Sequence, residues 1–247
     1  MTTERLTHDG ATLVAESHGA GERSFVLVHG IGMGRSVFAE LANCLSPHGR
    51  VVAVDLPGFG EAPEPPRTPT MERMGDILAA FLRRRALADV VLVGHSMGTQ
   101  VAVEATVRHP GLVNRIVLIG PTVNPRERDA ARQLLRLGQD LADDNPLVLL
   151  RGAREYLRAG PHLRRKMRAM LAHRPELSYP RVRVPTLVMR GERDRVVPRE
   201  WAREASRLIP GSVLAEIPER GHEAMIHRAE PAARAIIGFC RGGQAAI

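Results

Sequence analysis

A chain of 247 residues, 44% of them hydrophobic, can bury a full core unaided, so its two cysteines, Cys44 and Cys240, need not form a disulfide or hold a structural metal. Neither lies in a metal-ligand or CxxC context, and both are expected as reduced packing residues. The net charge of +8 raises phosphate binding, but of 35 basic residues only Lys166 is lysine, the arginines are dispersed among acids, and aromatics at 3% offer little for base stacking, so nucleic acid is not an expected partner.

The opening stretch, Met1 to Gly10, has neither an apolar h-region nor a small-residue cleavage site and does not read as a signal peptide. No uninterrupted apolar run approaches the roughly 20 residues of a membrane span. The expectation is therefore a soluble, cytoplasmic protein that does not engage a membrane.

Along the chain, short apolar and β-branched segments are expected as strands at 12–16, 25–28, 51–54, 90–93, 115–119, 186–190 and 213–217. Amphipathic segments between them are expected as helices near 36–45, 71–84, 97–108, 199–208 and 231–240. This alternation is that of an α/β fold, a mostly parallel sheet with helices on both faces. The first pair, 12–16 and 25–28, has no room for a linking helix, so that edge is expected as an antiparallel hairpin.

Two stretches break the alternation. Residues 61–69 carry too much proline for helix or ladder and are expected as a surface loop. Residues 121–180 have helical periodicity and no strand, with apolar faces at Leu134, Leu135, Leu137 and Leu141, then at Leu147, Leu150, Tyr156 and Leu157. They are expected as a helical cap inserted between two strands, over the carboxyl edge of the sheet, leaving 1–120 and 181–247 as the core domain. The cap segment carries 12 basic and 7 acidic residues, so +5 of the total +8 lies there. Arg151, Arg154 and Arg158, or the run from Arg164 to Arg168, either attract an anionic substrate or form a solvated helix face, the simpler of the two readings.

Directly after the strand at 90–93 comes Gly94-His95-Ser96-Met97-Gly98, and a helical pattern follows at once. A serine on a sharp strand-to-helix turn sits in a strained conformation that lifts its hydroxyl clear of the sheet, and the flanking glycines let neighbouring elements approach. The helix N-terminus adds backbone N–H groups and a dipole suited to a developing oxyanion. The alternative, a glycine-rich turn with an N-capping serine, gives no reason for the acid and histidine described next.

These residues, with His29-Gly30-Ile31-Gly32 after an early strand, Asp55-Leu56-Pro57-Gly58-Phe59-Gly60 after the next, Gly191-Glu192-Arg193-Asp194, and Gly221-His222, occur in the order of the α/β-hydrolase family, which the chain resembles over nearly its whole length. The sequence departs from the family at Thr99, where many members have a third glycine, and at Ala62, where serine is common. A serine nucleophile needs a base, and the base needs an orienting acid. His222 follows the last strand, and the resemblance makes it the base. Asp194, in the loop after the strand at 186–190, lies on the same sheet edge and is the expected orienter, and the order Ser96, Asp194, His222 is that of this fold. Glu192 is a rival acid, Asp194 could instead cap the following helix or pair with an arginine, and His227 is a competing histidine within an expected helix.

Acyl transfer also needs two donors for the oxyanion. The Met97 N–H is one, and the resemblance assigns the second to the Ile31 N–H. The glycines at 30, 32 and 34, with Asp55 ending the next strand, superficially suggest a dinucleotide site, but Arg35 stands where that fingerprint needs glycine or alanine. Serine at the nucleophile position disfavours epoxide hydrolases and haloalkane dehalogenases, relatives that attack with a carboxylate. The expectation is a carboxylesterase acting on a small or medium ester, without metal or organic cofactor. Thioesterase, lactonase, perhydrolase and carbon-carbon bond hydrolase activities share the triad. A non-catalytic ligand receptor on the same fold is the alternative of another class.

Overall fold

The computed structural model describes residues 2–128 and 160–242. Its centre is an eight-stranded sheet: β1 (Thr2–His8), β2 (Ala11–His18), β3 (Ser24–Val28), β4 (Arg50–Asp55), β5 (Val90–His95), β6 (Arg115–Ile119), β7 (Thr186–Gly191) and β8 (Val213–Ile217). The spatial order is β1-β2-β4-β3-β5-β6-β7-β8. β1 pairs with β2, and β2 with β4, antiparallel, and every other pairing is parallel. The described α-helices are α1 (Ala39–Leu45), α2 (Met71–Arg85), α3 (Met97–Arg108), α4 (Gly160–Ala172), α5 (Pro175–Ser178), α6 (Arg199–Leu208) and α7 (Glu230–Cys240).

The antiparallel edge differs from the sequence expectation in two ways. A strand at 2–8 was not foreseen, and the hairpin joins β1 to β2 rather than β2 to β3. β1 is an edge strand with Leu6 as its one apolar anchor on the core, so it lacks the alternation that marks a half-buried strand. Its turn is Asp9-Gly10, both at positive φ, as a two-residue hairpin of right-handed twist requires. β2 then crosses to β4, and β3 takes an interior place between β4 and β5, which suits its fully buried Ser24–Val28 run.

Because successive strand residues face opposite sides, β3 divides its side chains between two cores. Val26 and Val28 join Val52, Val54, Leu92 and the buried faces of α2, α3 and α6. Phe25 and Leu27 join Val51, Val91, Val93 and the buried faces of α1 and α7. Cys240 is buried in this second core, and burial pushes its thiol up, while Cys44 is partly buried; both are free.

Of the inserted segment, 121–128 and 160–180 are described, and they hold α4 and α5 without a strand. The leucine faces at 134–157 and Arg151, Arg154 and Arg158 lie outside the described residues. Trp201 of α6 meets both ends of the insertion: its Nε1–H donates to the Pro121 carbonyl at 2.8 Å, and its ring stacks on Tyr179 with centroids 6.2 Å apart. On the return side, Glu104 of α3 accepts from His173 Nε2 at 3.0 Å and from Ser178 Oγ at 2.5 Å, all three being buried. Gln100 Nε2 donates to the Met170 carbonyl at 3.2 Å. Together these bonds tie α4 and α5 to the helix that begins beside Ser96. In the 164–168 run, Arg164, Arg165 and Arg168 are exposed, whereas Lys166 is buried.

Candidate active site

Ser96 stands between β5 and α3 at φ 52°, ψ −119°, a left-handed conformation disfavoured for a side chain with Cβ. The neighbouring glycines show what that turn demands. A Cβ on Gly94 would lie 2.4 Å from the Gly98 carbonyl oxygen, and a Cβ on Gly98 would lie 2.2 Å from the Val28 carbonyl oxygen. Only glycine lets α3 start this close to the ends of β5 and β3. The Ser96 N–H donates to the Ile119 carbonyl at 2.9 Å, and the next residue, Gly120, faces the histidine described below.

His222 and Asp194 form a buried pair, His222 Nδ1 to Asp194 Oδ2 at 2.9 Å, with side chains 3% and 0% exposed. The carboxylate's other oxygen, Oδ1, accepts the Val197 N–H at 2.8 Å, which orients the carboxylate within its own loop. Arg190 underpins that loop from the end of β7: its guanidinium donates to the Asp194 carbonyl at 2.9 Å and to the Val197 carbonyl at 3.0 Å, and pairs with Glu216 at 2.5 Å. Gly120, at φ +56°, lies against the pair; a Cβ there would stand 2.8 Å from His222 Cε1 and 3.5 Å from Asp194 Oδ2. The structure thus brings Asp194, not Glu192, to His222. Glu192 accepts the Glu219 N–H at 2.9 Å. His227 is 85% exposed and stands in a turn before α7, not within the helix expected there.

The loop after β3 borders the same place. Gly30 is so close to the nucleophile turn that a Cβ on it would meet Ser96 Cβ at 3.1 Å and His95 Nδ1 at 3.2 Å. Ile31 packs against the core, and Met97 is fully buried. His29 fixes the loop from behind. Its Nε2 accepts the Leu56 N–H at 3.1 Å, so Nδ1 carries the proton and donates to the Gly30 carbonyl at 2.7 Å. Burial pushes the His29 pKa down to about 4, more than the Gly30 hydrogen bond and Asp55 restore, and keeps the ring neutral.

His95, inside the nucleophile turn, is fully buried and bonds the backbone carbonyl of His222 through Nε2 at 3.1 Å. Its ring packs 5.0 Å from the His222 ring, and burial, with His222 nearby, holds its basicity well below the ordinary histidine range. Sequence reasoning missed His95, Gly120 and Arg190 as parts of the site. Their contacts span as many as 127 residues, beyond any local pattern. The only signal is position, since each ends a strand of the same sheet edge or follows it directly. Among the described residues no group of His, Cys, Asp and Glu is arranged to hold a metal ion, and no helix is long and apolar enough to cross a membrane.

A serine on a strained strand-to-helix turn and a buried histidine–carboxylate pair, carried on the same carboxyl edge of a doubly covered sheet, define a class: α/β proteins with a hydrolase-type site. The chain belongs to the alpha/beta hydrolase family, which it matches over residues 25–235. It is 30% identical to the 2-hydroxy-6-oxo-6-(2'-aminophenyl)hexa-2,4-dienoic acid hydrolase of Metapseudomonas resinovorans, covering 96% of this chain and 90% of that one. It is also 30% identical to a pimeloyl-[acyl-carrier protein] methyl ester esterase of Methylococcus capsulatus, covering 92% and 98%. In fold it is similar to a thermophilic esterase from Thermogutta terrifontis, with a TM-score of 0.81 at 24% identity over 99% of this chain and 100% of that one.

Proposed function

We propose that the protein is a serine hydrolase that cleaves a carboxylic ester of a small or medium substrate through an acyl-enzyme on Ser96. The observation that carries this reading is the buried His222–Asp194 pair facing Gly120, one residue beyond the Ile119 carbonyl that anchors the Ser96 N–H. Ser96 Oγ attacks the ester carbonyl while His222 accepts its proton. Asp194 holds the Nδ1–H tautomer and stabilises the imidazolium. The alcohol leaves with the proton that His222 returns, and water activated by the same histidine then hydrolyses the acyl-enzyme.

The oxyanion is held by the Met97 and Ile31 N–H groups. Met97 opens α3, where N–H groups lack intrahelical acceptors and the helix dipole favours negative charge. The Ile31 N–H belongs to the same planar peptide as the Gly30 carbonyl, so the His29 hydrogen bond to that carbonyl also fixes the direction of the N–H. Residues 121–180 act as a helical cap that shapes the acyl and alcohol sites, and the exposed Arg164, Arg165 and Arg168 give its described part a basic face.

A second reading, hydrolysis of a carbon-carbon bond with the same triad, is supported by the relative from Metapseudomonas resinovorans, whose named substrate has a ketone and no ester. The ester reading has the named methyl ester esterase on its side. A screen of p-nitrophenyl esters, methyl esters and 6-oxo-2,4-dienoic acids separates the two. Ester hydrolysis is expected to fall by about a thousandfold or more in Ser96→Ala. An unchanged rate in that variant, or a wild type inert to every ester and dienoate, would count against the reading, and the inert outcome favours a ligand receptor.

A further inference from the structure

We propose that Lys166 is a positioning residue for this site, joining α4 to the loop that braces the oxyanion segment, so that the seating of α4 sets the rate of acyl transfer. The inference rests on the serine-hydrolase reading above. Lys166 is the sole lysine of the chain and is 5% exposed, while the arginines around it on α4 face solvent. Its ammonium donates to the Gly58 carbonyl at 2.5 Å and to Glu64 Oε2 at 2.6 Å, and stands 4.5 Å from the centroid of the Phe59 ring. A carbonyl, a carboxylate and an aromatic face around one compact tetrahedral cation suit an ammonium, whereas a planar guanidinium spreads its donors too widely. The approach depends on Gly58, at φ +79°, because a Cβ there would lie 2.8 Å from Nζ.

The contact continues inward. Phe59, held under the ammonium, meets His29 edge-on with centroids 5.2 Å apart. His29 is clamped between the Leu56 N–H and the Gly30 carbonyl, whose peptide carries the Ile31 N–H. Lys166 therefore grips the 56–64 loop at Gly58, Phe59 and Glu64, and each step from there to the Gly30–Ile31 peptide is a direct contact. The helix that carries it belongs to the inserted segment, and Met167 and Met170 on the same helix are buried in the core. A substrate that shifts α4 moves Gly58 and Phe59, and with them the backing of His29. Lys166 itself touches no reacting atom.

Stopped-flow acylation by a p-nitrophenyl ester is the test, with thermal unfolding measured alongside. Lys166→Met is expected to slow acylation by about tenfold or more with KM within about twofold, as befits a misplaced oxyanion donor rather than a lost substrate contact. Lys166→Gln keeps one donor for the Gly58 carbonyl and is expected to lose less, about three- to tenfold, and it decides the matter if Lys166→Met does not fold. A folded variant that acylates at the wild-type rate, or whose loss appears wholly in KM, overturns the role of Lys166. A wild type that is not acylated at all overturns instead the serine-hydrolase reading.

Discussion

At φ 52° Ser96 holds a conformation that costs free energy, and the residues around it are chosen to keep it there. His95 and His29 show how. Each is a fully buried imidazole used in its neutral form, one bonding the His222 carbonyl and the other the Gly30 carbonyl. Burial lowers the His29 pKa from 6.5 to about 4 and holds His95 well below 6.5. As pH falls below 6.5 the unfolded chain takes up protons that the folded chain refuses, so stability declines from 6.5 toward the folded values and is level above 6.5. Burial pushes Glu104 up, but the hydrogen bonds from His173 and Ser178, together with the charges of His173 and Arg108, hold it below its usual value, and its stabilising effect is lost only at lower pH. Between pH 5 and 6.5 the two histidines can therefore be read by urea unfolding. The dependence of stability on pH there should be about 1 kcal/mol per pH unit shallower in His95→Gln than in the wild type. Equal slopes would mean that His95 titrates normally in the folded protein.

At the scale of elements, the site depends on how closely α3 starts beside β3. Gly98→Ala places a Cβ 2.2 Å from the Val28 carbonyl oxygen, where backbone must yield, and should destabilise the fold by about 3 kcal/mol. Gly238→Ala in α7 has nothing within 4 Å and should stabilise by about 0.5–1 kcal/mol. Equal effects of the two substitutions on the urea midpoint would contradict the close approach at Gly98. Much of this layer was legible in the sequence. Helix 97–108 and strands 115–119 and 213–217 lie where hydrophobic pattern and turn residues place them. The misreadings share a cause: β1 takes its structure from pairing, not from its polar composition, and β3 lies beside β4 because of a crossover that no local pattern reports. The placement of Ser96, Asp194 and His222 on one sheet edge was legible because each ends a recognisable strand or loop. His95, Gly120 and Arg190 were not, because their meaning lies in contacts across the sheet edge.

Over the whole molecule, the sheet gathers residues far apart in the chain onto one edge. Ser96 follows β5, Gly120 follows β6, Asp194 follows β7 and His222 follows β8, and these strands are consecutive neighbours in the sheet. The inserted segment leaves the sheet at that same edge, after β6, and Trp201 of α6 meets both of its ends, at Pro121 and at Tyr179. On the proposed reading the core carries the chemistry and the insertion the choice of substrate, so substitutions on the exposed face of α4 are expected to change substrate preference while the nucleophile stays the same. The most direct measurement of the central claim is reaction with a fluorophosphonate followed by peptide mapping. The account predicts stoichiometric labelling on Ser96, abolished in Ser96→Ala and strongly slowed in His222→Ala. Absence of labelling, or a label carried by another residue, would contradict it.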